Sequence, residues 1–206
     1  MVPKGTVAQD RLSRCPWASE GGERDRDYHD TEWGRPVIDE HGLFERISLE
    51  AFQAGLSWSI ILRKRDAFRR AFADFDPDLV SRFGPDDVER LLNDAGIVRN
   101  RRKIEATITN ARAVVGLRNG PGLVDLVWSH RPPWRPAPQG AEDVPATTPE
   151  SVALSKALKQ AAMVFVGPTT CYAMMQAIGL VNDHLASCDF RASCDLAARR
   201  NSLEIS

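Results

Sequence analysis

The chain has 206 residues, of which 43% are hydrophobic and 27% are charged, and its formal net charge at pH 7 is −1. A chain of this length and composition can bury a substantial core and is most simply one domain. It shows no apolar run near the roughly 20 residues of a membrane span and no apolar signal-peptide core, so a cytoplasmic location is expected.

The first part of the chain is predicted to change from tail to helix. Residues 1–13 show no periodicity and are predicted to be a flexible tail, and the polar stretch 19–27 is predicted to be a loop. A helix is predicted over 39–54, because Asp39 can cap its N-terminus and apolar residues recur with helical spacing from Leu43 to Ala54. Gly55 is expected to end it.

Glu50 occupies an unusual position on this predicted helix. At about 100° per residue, it falls on the apolar line of Leu43 and Ile47 and not on the charged side with Glu45 and Arg46. It is either a boundary glutamate that reaches solvent or pairs with an arginine, or a site acid, since an unpaired buried carboxylate is costly and such groups concentrate at functional sites.

The rest of the chain predicts further helices and no strand. Ser57 can cap a helix that reaches about Phe75, and Asp76 and Gly84 precede two shorter ones. Helices are also predicted over 100–116, 123–128, from Thr148 onward and over 171–180, with a long proline-rich loop over 130–148. Residues 189–206 are predicted to be a flexible tail. The pattern therefore indicates an all-α fold.

Three clusters of basic residues interrupt an otherwise balanced charge pattern. They are Arg63-Lys64-Arg65, Arg69-Arg70 and Arg99-Asn100-Arg101-Arg102-Lys103. Each could contribute to a nucleic-acid surface, but an isolated cluster of this kind is more typical of a solvated helix face.

Cysteine and histidine spacing permits a metal site. In a reducing compartment, the four cysteines are expected to be metal ligands or core thiols and not disulfides. His184 and Cys188 are four residues apart and would share one face of a helix, and Cys15 and His29 could complete a closed tetrahedral site. The spacing matches no short zinc finger, so buried thiols and ordinary histidines remain the alternative.

Two further groups of residues could carry function. Trp17, Tyr28, Trp33 and Trp58 lie near Glu50 in sequence, which is typical of a core but also of a pocket that stacks a planar base. A glycine turn at Gly167 precedes a helix whose free N-terminal amides could hold a phosphate, although a simple helical hairpin would look the same.

Taken together, these motifs resemble the bacterial 3-methyladenine DNA glycosylase I family of the helix-hairpin-helix superfamily. The resemblance spans about residues 14–188. It rests on Arg14-Cys15-Pro16-Trp17, Tyr28-His29-Asp30-Thr31-Glu32-Trp33-Gly34, Leu49-Glu50-Ala51-Phe52-Gln53-Ala54-Gly55-Leu56-Ser57-Trp58, Asp94-Ala95-Gly96-Ile97, Phe165-Val166-Gly167 and Gly179-Leu180-Val181-Asn182-Asp183-His184.

The resemblance implies a helix-hairpin-helix DNA glycosylase fold with a zinc-stapled helical lobe, in which residues 14–188 form one domain of two lobes. It implies a monofunctional DNA repair enzyme that flips 3-methyladenine out of double-stranded DNA, hydrolyses its N-glycosidic bond and releases the free base without lyase activity. A cytoplasmic, nucleoid-associated monomer with no membrane partner is expected.

The resemblance also implies roles for individual residues. Glu50 corresponds to the pocket acid, treated as catalytic, with Tyr28 and Trp58 as its pocket partners and Trp17 and Trp33 nearby. One structural zinc ion is implied on Cys15, His29, His184 and Cys188. The hairpin that grips DNA is implied at Val166, Gly167, Pro168, Thr169 and Thr170.

Three departures from related patterns refine these expectations. Asn182 stands where many helix-hairpin-helix glycosylases have a catalytic aspartate, and Thr169 stands where bifunctional relatives have a lysine nucleophile. Asp25 replaces a tyrosine often found in the family, at the expected edge of the pocket. The alternatives are a non-catalytic helix-hairpin-helix DNA-binding module and a zinc hydrolase that would use His29, His184 and a base such as Glu32.

Overall fold

A computed structural model describes residues 11–204, and within them all regular secondary structure is helical. The all-α prediction is confirmed for this part of the chain. No described helix combines the length and the apolar character needed to cross a membrane. The helices are α1 (Pro16–Glu20), α2 (Glu23–Thr31), α3 (Glu40–Gln53), α4 (Trp58–Ala71), α5 (Pro77–Val80), α6 (Pro85–Asn93), α7 (Arg101–Leu117), α8 (Gly122–Trp128), α9 (Pro149–Gln160), α10 (Pro168–Ala177) and α11 (Arg191–Glu204).

Helix α3 lies at the centre of the fold, where it contacts α4, α7, α8 and α10. The Asp39 side chain caps its N-terminus by accepting a hydrogen bond from Gly42 N at 2.7 Å. The helix ends before Gly55, whose φ of +83° is readily adopted only by glycine. Leu43, Phe44 and Phe52 of this helix have no exposed surface. Most of the buried side chains thus form one core around α3.

The N-terminal segment is more ordered than predicted. The predicted loop over 19–27 is wrong, because α1 and α2 occupy most of it and only Gly21 and Gly22 separate them. The Asp25 carboxylate accepts a hydrogen bond from Gly22 N at 3.2 Å and so caps α2 from its first turn. Of the predicted N-terminal tail, residues 1–10 lie outside the described part of the chain.

The predicted C-terminal tail over 189–206 is also wrong over most of its length, since α11 begins at Arg191. Cys194 of this helix is only 1% exposed, and its Sγ contacts the carbonyl oxygen of Trp33 at 3.8 Å. Tertiary packing therefore holds a helix whose own sequence has little amphipathic pattern. Residues 205 and 206 lie outside the described part.

Two segments near the later motifs differ in detail from the prediction. Helix α10 begins at Pro168, three residues before the predicted start, with Gly167 as its N-cap. Residues His184 and Cys188 lie in a non-helical segment, so they do not share a helix face. All four cysteines are free and buried, as expected for a chain without disulfides.

Candidate functional site

A cavity of about 380 Å³ opens beside the buried face of α3. All five residues predicted to contact a base line this cavity: Glu50, Tyr28, Trp58, Trp17 and Trp33. The other lining residues come from α1, α3, α10, the 130–148 loop and the segment after α10: Cys15, Pro16, Gln53, Ala141, Val144, Ala173, Gln176, Asp183 and Leu185. The fold thus brings together side chains that are up to 41 positions apart in the predicted set.

The aromatic side chains form a tilted wall and do not stack face to face on one another. The ring centroids of Tyr28 and Trp58 are 5.1 Å apart at an interplanar angle of 47°, and those of Trp17 and Trp33 are 5.2 Å apart at 78°. Such edge and tilted contacts leave ring faces available for a planar ligand. The cavity therefore suits a flat heteroaromatic group.

Glu50 is 6% exposed, lines the cavity and forms no ion pair within the described residues. Within the described residues its carboxyl group takes part in no hydrogen bond. Burial raises its pKa to about 8, and the nearby positive charge of Arg46 opposes that rise. Within the described residues Glu50 therefore neither pairs with an arginine nor lies at the outer surface, and its carboxyl group is held at the cavity wall.

Two hydrogen-bond donors in the cavity wall are also unused. The Tyr28 hydroxyl and Trp58 Nε1 are buried and have no partner among the described residues. Buried polar groups are nearly always satisfied, so two of them beside an unpaired carboxyl group indicate a site that a ligand completes. Together they offer two donors and a titratable carboxyl group to one planar molecule.

A second carboxylate, Asp183, lines the cavity and was not predicted. It is 2% exposed and accepts hydrogen bonds from Tyr172 Oη at 2.6 Å, from Gln176 Nε2 at 2.9 Å and from Arg135. Asn182, the residue compared with the usual catalytic aspartate, instead donates to Asp195 Oδ1 at 2.7 Å. The sequence signal was present, since Asp183 directly precedes a predicted metal ligand.

Three of the four predicted metal ligands converge. The ligand atoms of Cys15, His29 and Cys188 lie within 4.8 Å of one another, and His29 Nε2 is 3.6 Å from Cys188 Sγ. All three residues are buried. His184 lies outside this close group, but its ring centroid is 4.7 Å from that of His29.

Neighbouring side chains fix the orientation of both imidazoles. His29 Nδ1 is 2.8 Å from Asp30 Oδ1, and His184 Nδ1 is 3.0 Å from Asn182 Oδ1. His184 Nε2 is buried and has no partner among the described residues, which is expected of a nitrogen reserved for a metal ion. Gly34 (φ +77°) is required beside it, because a Cβ there would lie 2.9 Å from His184 Cε1.

Two acids that bear on the alternatives have structural partners. Asp25 lies outside the cavity wall and accepts a hydrogen bond from Ser59 Oγ at 2.6 Å, so it links α2 to α4. Glu32, the base required by a zinc hydrolase, pairs with Arg46 at 2.6 Å and with Arg65 at 2.8 Å. A carboxylate held by two guanidinium groups is a poor general base, which disfavours the hydrolase alternative.

The predicted DNA-binding hairpin connects α9 and α10. Val166 is buried, while Thr169 in the first turn of α10 is exposed. Asn110 of α7 fixes the connecting loop, because its side chain donates to Val164 O at 3.0 Å and accepts from Val164 N at 2.8 Å. No side chain caps the N-terminus of α10, so its first amides remain available for an anion.

Comparison with known proteins agrees with this arrangement. The sequence model of the family described as methyladenine glycosylase matches residues 17–192. The chain belongs to the methyladenine glycosylase family. The predicted family and enzyme class are thereby confirmed.

Individual members of the methyladenine glycosylase family are similar over nearly their whole length. DNA-3-methyladenine glycosylase 1 of Escherichia coli (strain K12) is 49% identical over 181 residues, which cover 86% of this chain and 96% of the relative. A crystal structure of a 3-methyladenine DNA glycosylase I superposes with a TM-score of 0.83 at 46% identity, covering 86% of this chain and 98% of the other. A variant crystallised in complex with 3-methyladenine gives 0.80 at 32% identity, covering 85% and 96%.

Proposed function

We propose that this chain excises 3-methyladenine from alkylated double-stranded DNA as a monofunctional glycosylase. The observation that carries the proposal is the cavity in which Glu50, Tyr28 and Trp58 present unpaired polar groups between aromatic side chains. It is supported by family membership and by a similar structure that holds 3-methyladenine. A base inside a duplex cannot reach such a cavity, so the nucleotide has to be flipped out.

In the proposed mechanism the flipped base stacks against the aromatic wall. Glu50 accepts a hydrogen bond from the exocyclic amine side of the base, and Tyr28 and Trp58 supply the donors. The lesion carries a positive charge in DNA, so a carboxylate favours it over an unmodified adenine. Water adds to C1′ as the bond to the base breaks, one proton is released to solvent, and the base leaves as neutral 3-methyladenine.

A lyase step is not part of the proposal. Bifunctional glycosylases need an amine that forms a Schiff base with C1′. Here Thr169 stands in the first turn of α10, and the described residues of the cavity wall include no lysine. The DNA backbone is proposed to contact the N-terminus of α10 at Val166, Gly167, Pro168, Thr169 and Thr170.

The test is incubation of the protein with methylated duplex DNA, followed by chromatography of the released bases. Free 3-methyladenine without strand cleavage is expected. Glu50→Gln should slow its release by about tenfold or more, because a charge-assisted hydrogen bond is lost. Glu20→Gln, at an exposed position of α1, is the matched control. Binding of DNA without release of any base would instead support a non-catalytic DNA-binding module.

We further infer that Cys15, His29, His184 and Cys188 hold one structural zinc ion. Support comes from the convergence of three ligand atoms and from the unpartnered His184 Nε2. Two thiolates and two imidazoles suit Zn²⁺, and four protein ligands leave no open position for water, so the ion would link the N-terminal segment to the segment after α10.

Metal analysis of the purified protein tests the zinc assignment. One zinc ion per chain is expected, and Cys188→Ala should lose it. Cys171→Ala is the control, since Cys171 is an equally buried thiol of α10 outside the ligand set. Zinc absent from the parent, or equal zinc in both variants, would contradict the inference.

A further inference from the structure

Arg46 of α3 is a buried arginine with spare hydrogen-bonding capacity. It is 7% exposed, and its Nη2 donates to Glu32 Oε2 at 2.6 Å. Its Nε and Nη1 are also buried, yet neither has a partner among the described residues. Unused buried donors cost free energy, so they indicate a partner that arrives in another state of the protein.

Ser48 and Glu50 of α3 both lack a hydrogen-bond partner among the described residues, and only Glu50, one turn after Arg46, shares the helix face of Arg46. Residues four apart share a helix face, and an arginine and a glutamate at this spacing can pair. The Arg46 guanidinium carbon also lies 5.8 Å from the centroid of the Tyr28 ring. Arg46 therefore lies behind Tyr28 and one turn from Glu50, the residues proposed to hold the base, although it does not line the cavity.

We propose that Arg46 is a positioning residue of the base site, whose guanidinium pairs with Glu50 when the alkylated base draws that carboxyl group into its ionised form. The inference rests on the proposed function of Glu50. Without Arg46, base binding would require an isolated carboxylate in a buried site, which is strongly unfavourable. With Arg46, the two unused donors meet the new charge and hold the carboxylate in one orientation.

Among the charged groups near Glu50, Arg46 is the one that affects its pKa. Burial raises the pKa of Glu50, and Arg46 is the charged neighbour that lowers it. Other titratable or charged groups near this end of α3 include Tyr28, Glu32, Arg65, Lys103, Tyr172, Asp183 and its partner Arg135.

Arg65 of α4 provides a matched control. It is also 7% exposed and also pairs with Glu32, at 2.8 Å. Its Nε, however, donates to Glu45 at 2.8 Å, and it lowers the pKa of Tyr28 but not that of Glu50. Replacement of either arginine removes one pairing of Glu32, but only replacement of Arg46 removes the proposed partner of Glu50.

The first experiment follows the Glu50 carboxyl carbon by ¹³C NMR as a function of pH in the zinc-loaded protein without ligand. Arg46→Gln is expected to move the Glu50 midpoint upward by about one pH unit, because a nearby positive charge is lost. Arg65→Gln should leave the Glu50 midpoint unchanged. Arg46→Lys, which keeps the positive charge, should return the midpoint most of the way to its parental value. An unchanged midpoint in Arg46→Gln, or an equal shift in Arg65→Gln, would overturn the proposal.

The second experiment measures the affinity for free 3-methyladenine by tryptophan fluorescence over about pH 5.5 to 9.5, around the Glu50 midpoint. The rise of affinity with pH should be displaced upward in Arg46→Gln and not in Arg65→Gln. Absence of binding by the parent protein would overturn the proposed function, whereas binding with identical profiles in all variants would overturn only the role of Arg46.

If Arg46→Gln does not fold, the parent protein and Glu50→Gln decide. Its Arg46 ¹⁵Nε resonance should shift at the same pH as the Glu50 carboxyl carbon, and this shift should vanish in Glu50→Gln. An Arg46 ¹⁵Nε chemical shift that does not change over the pH range in which Glu50 titrates would overturn the proposal.

Discussion

Glu50 combines two properties that oppose each other, burial and the ability to ionise. The folded protein holds its pKa at about 8, well above the value of an exposed glutamate. Between these two pKa values the folded state keeps a proton that the unfolded state has lost, so the stability contributed by this proton is present at acid pH and is lost as pH rises toward 8. A base that favours the carboxylate has to overcome the same cost.

Stability measurements on Glu50→Gln should reveal this cost. From about pH 4.5 to above pH 8, the free energy of unfolding of the parent is expected to fall by up to about 5 kcal/mol relative to the variant. Urea unfolding at pH 5 and pH 8.5 measures the difference. Asp66→Asn, at a side chain that is 85% exposed, is the control and should give equal differences at both pH values. A parent that loses no stability relative to Glu50→Gln would contradict the raised pKa.

The sequence predicted the environment of Glu50 but not that of Arg46 or Asp183. Glu50 was predictable because helical periodicity places it on the apolar line of α3. Arg46 was assigned to the charged side, but it is buried there, where it contacts Tyr28 and Glu32. Asp183 was missed because its position next to a predicted metal ligand does not reveal that it meets Arg135, which is 48 positions away in the chain. The spacing of apolar residues along one helix does not show whether other elements also bury the charged side of that helix.

Most helices were predictable because their limits are set locally. Asp39, Asp76, Asn100 and Thr148 each cap a helix with their own side chain, as their positions before apolar periodic stretches indicated. The predictions failed at α1, α2 and α11, which are short or polar. Those helices depend on contacts between distant residues, such as Ser59 Oγ with Asp25 at 2.6 Å.

Lys103, in the basic cluster at the start of α7, has a structural role that the sequence did not predict. Lys103 is 7% exposed, and its ammonium group donates to Phe52 O at 2.8 Å and to Ala54 O at 2.6 Å. These carbonyl groups belong to the last turn of α3, which lacks helical partners for them. Lys103 therefore fixes the end of the helix that carries Glu50 and the turn that leads to Trp58.

Lys103→Met is expected to lower the free energy of unfolding by about 2 kcal/mol, because buried carbonyl groups lose their donor. Arg102→Met is the matched control, since Arg102 is exposed on the same turn. Urea unfolding measures stability, and 3-methyladenine affinity reports the cavity. Equal stability of the two variants would show that the contacts of Lys103 contribute nothing.

Helix α11 lies almost entirely beyond residue 192, where the match to the family ends. It supports the segment that carries His184: Asn182 donates to Asp195 and to the Arg191 carbonyl group, and Arg191 donates back to Asn182 O at 3.1 Å. The helix does not line the cavity. We therefore expect it to contribute to stability and to the orientation of His184 more than to base recognition.

Deletion of residues 191–206 should lower the free energy of unfolding by at least about 2 kcal/mol, since several hydrogen bonds and the buried Cys194 are lost. It should also speed zinc transfer to a chelator while leaving 3-methyladenine affinity nearly unchanged in excess zinc. Leu196→Ser, at a side chain that is 60% exposed, is the control. A deletion variant with parental stability and parental zinc release would contradict a supporting role.

The described part of the chain contains two separate apolar clusters, and we expect them to depend on the proposed zinc ion to different degrees. The large core surrounds α3 and extends through α4, α7, α9 and α10. The small cluster consists of Cys15, Leu185 and Cys188 with Trp17, Trp33 and Phe190 packed against it. Three buried residues are too few to hold a chain segment in place, so a metal ion is expected to supply much of the small cluster's stability.

Zinc removal should therefore loosen one part of the molecule and leave the other intact. After chelation, hydrogen exchange is expected to accelerate in residues 14–34 and 181–190, while amides of α4 and α7 remain protected because their side chains belong to the large core. The affinity for 3-methyladenine should fall with it, since Trp17, Asp183 and Leu185 of the loosened segments line the cavity. Uniform acceleration across α4 and α7 would show instead that both clusters unfold as one unit, and that the metal stabilises the whole fold.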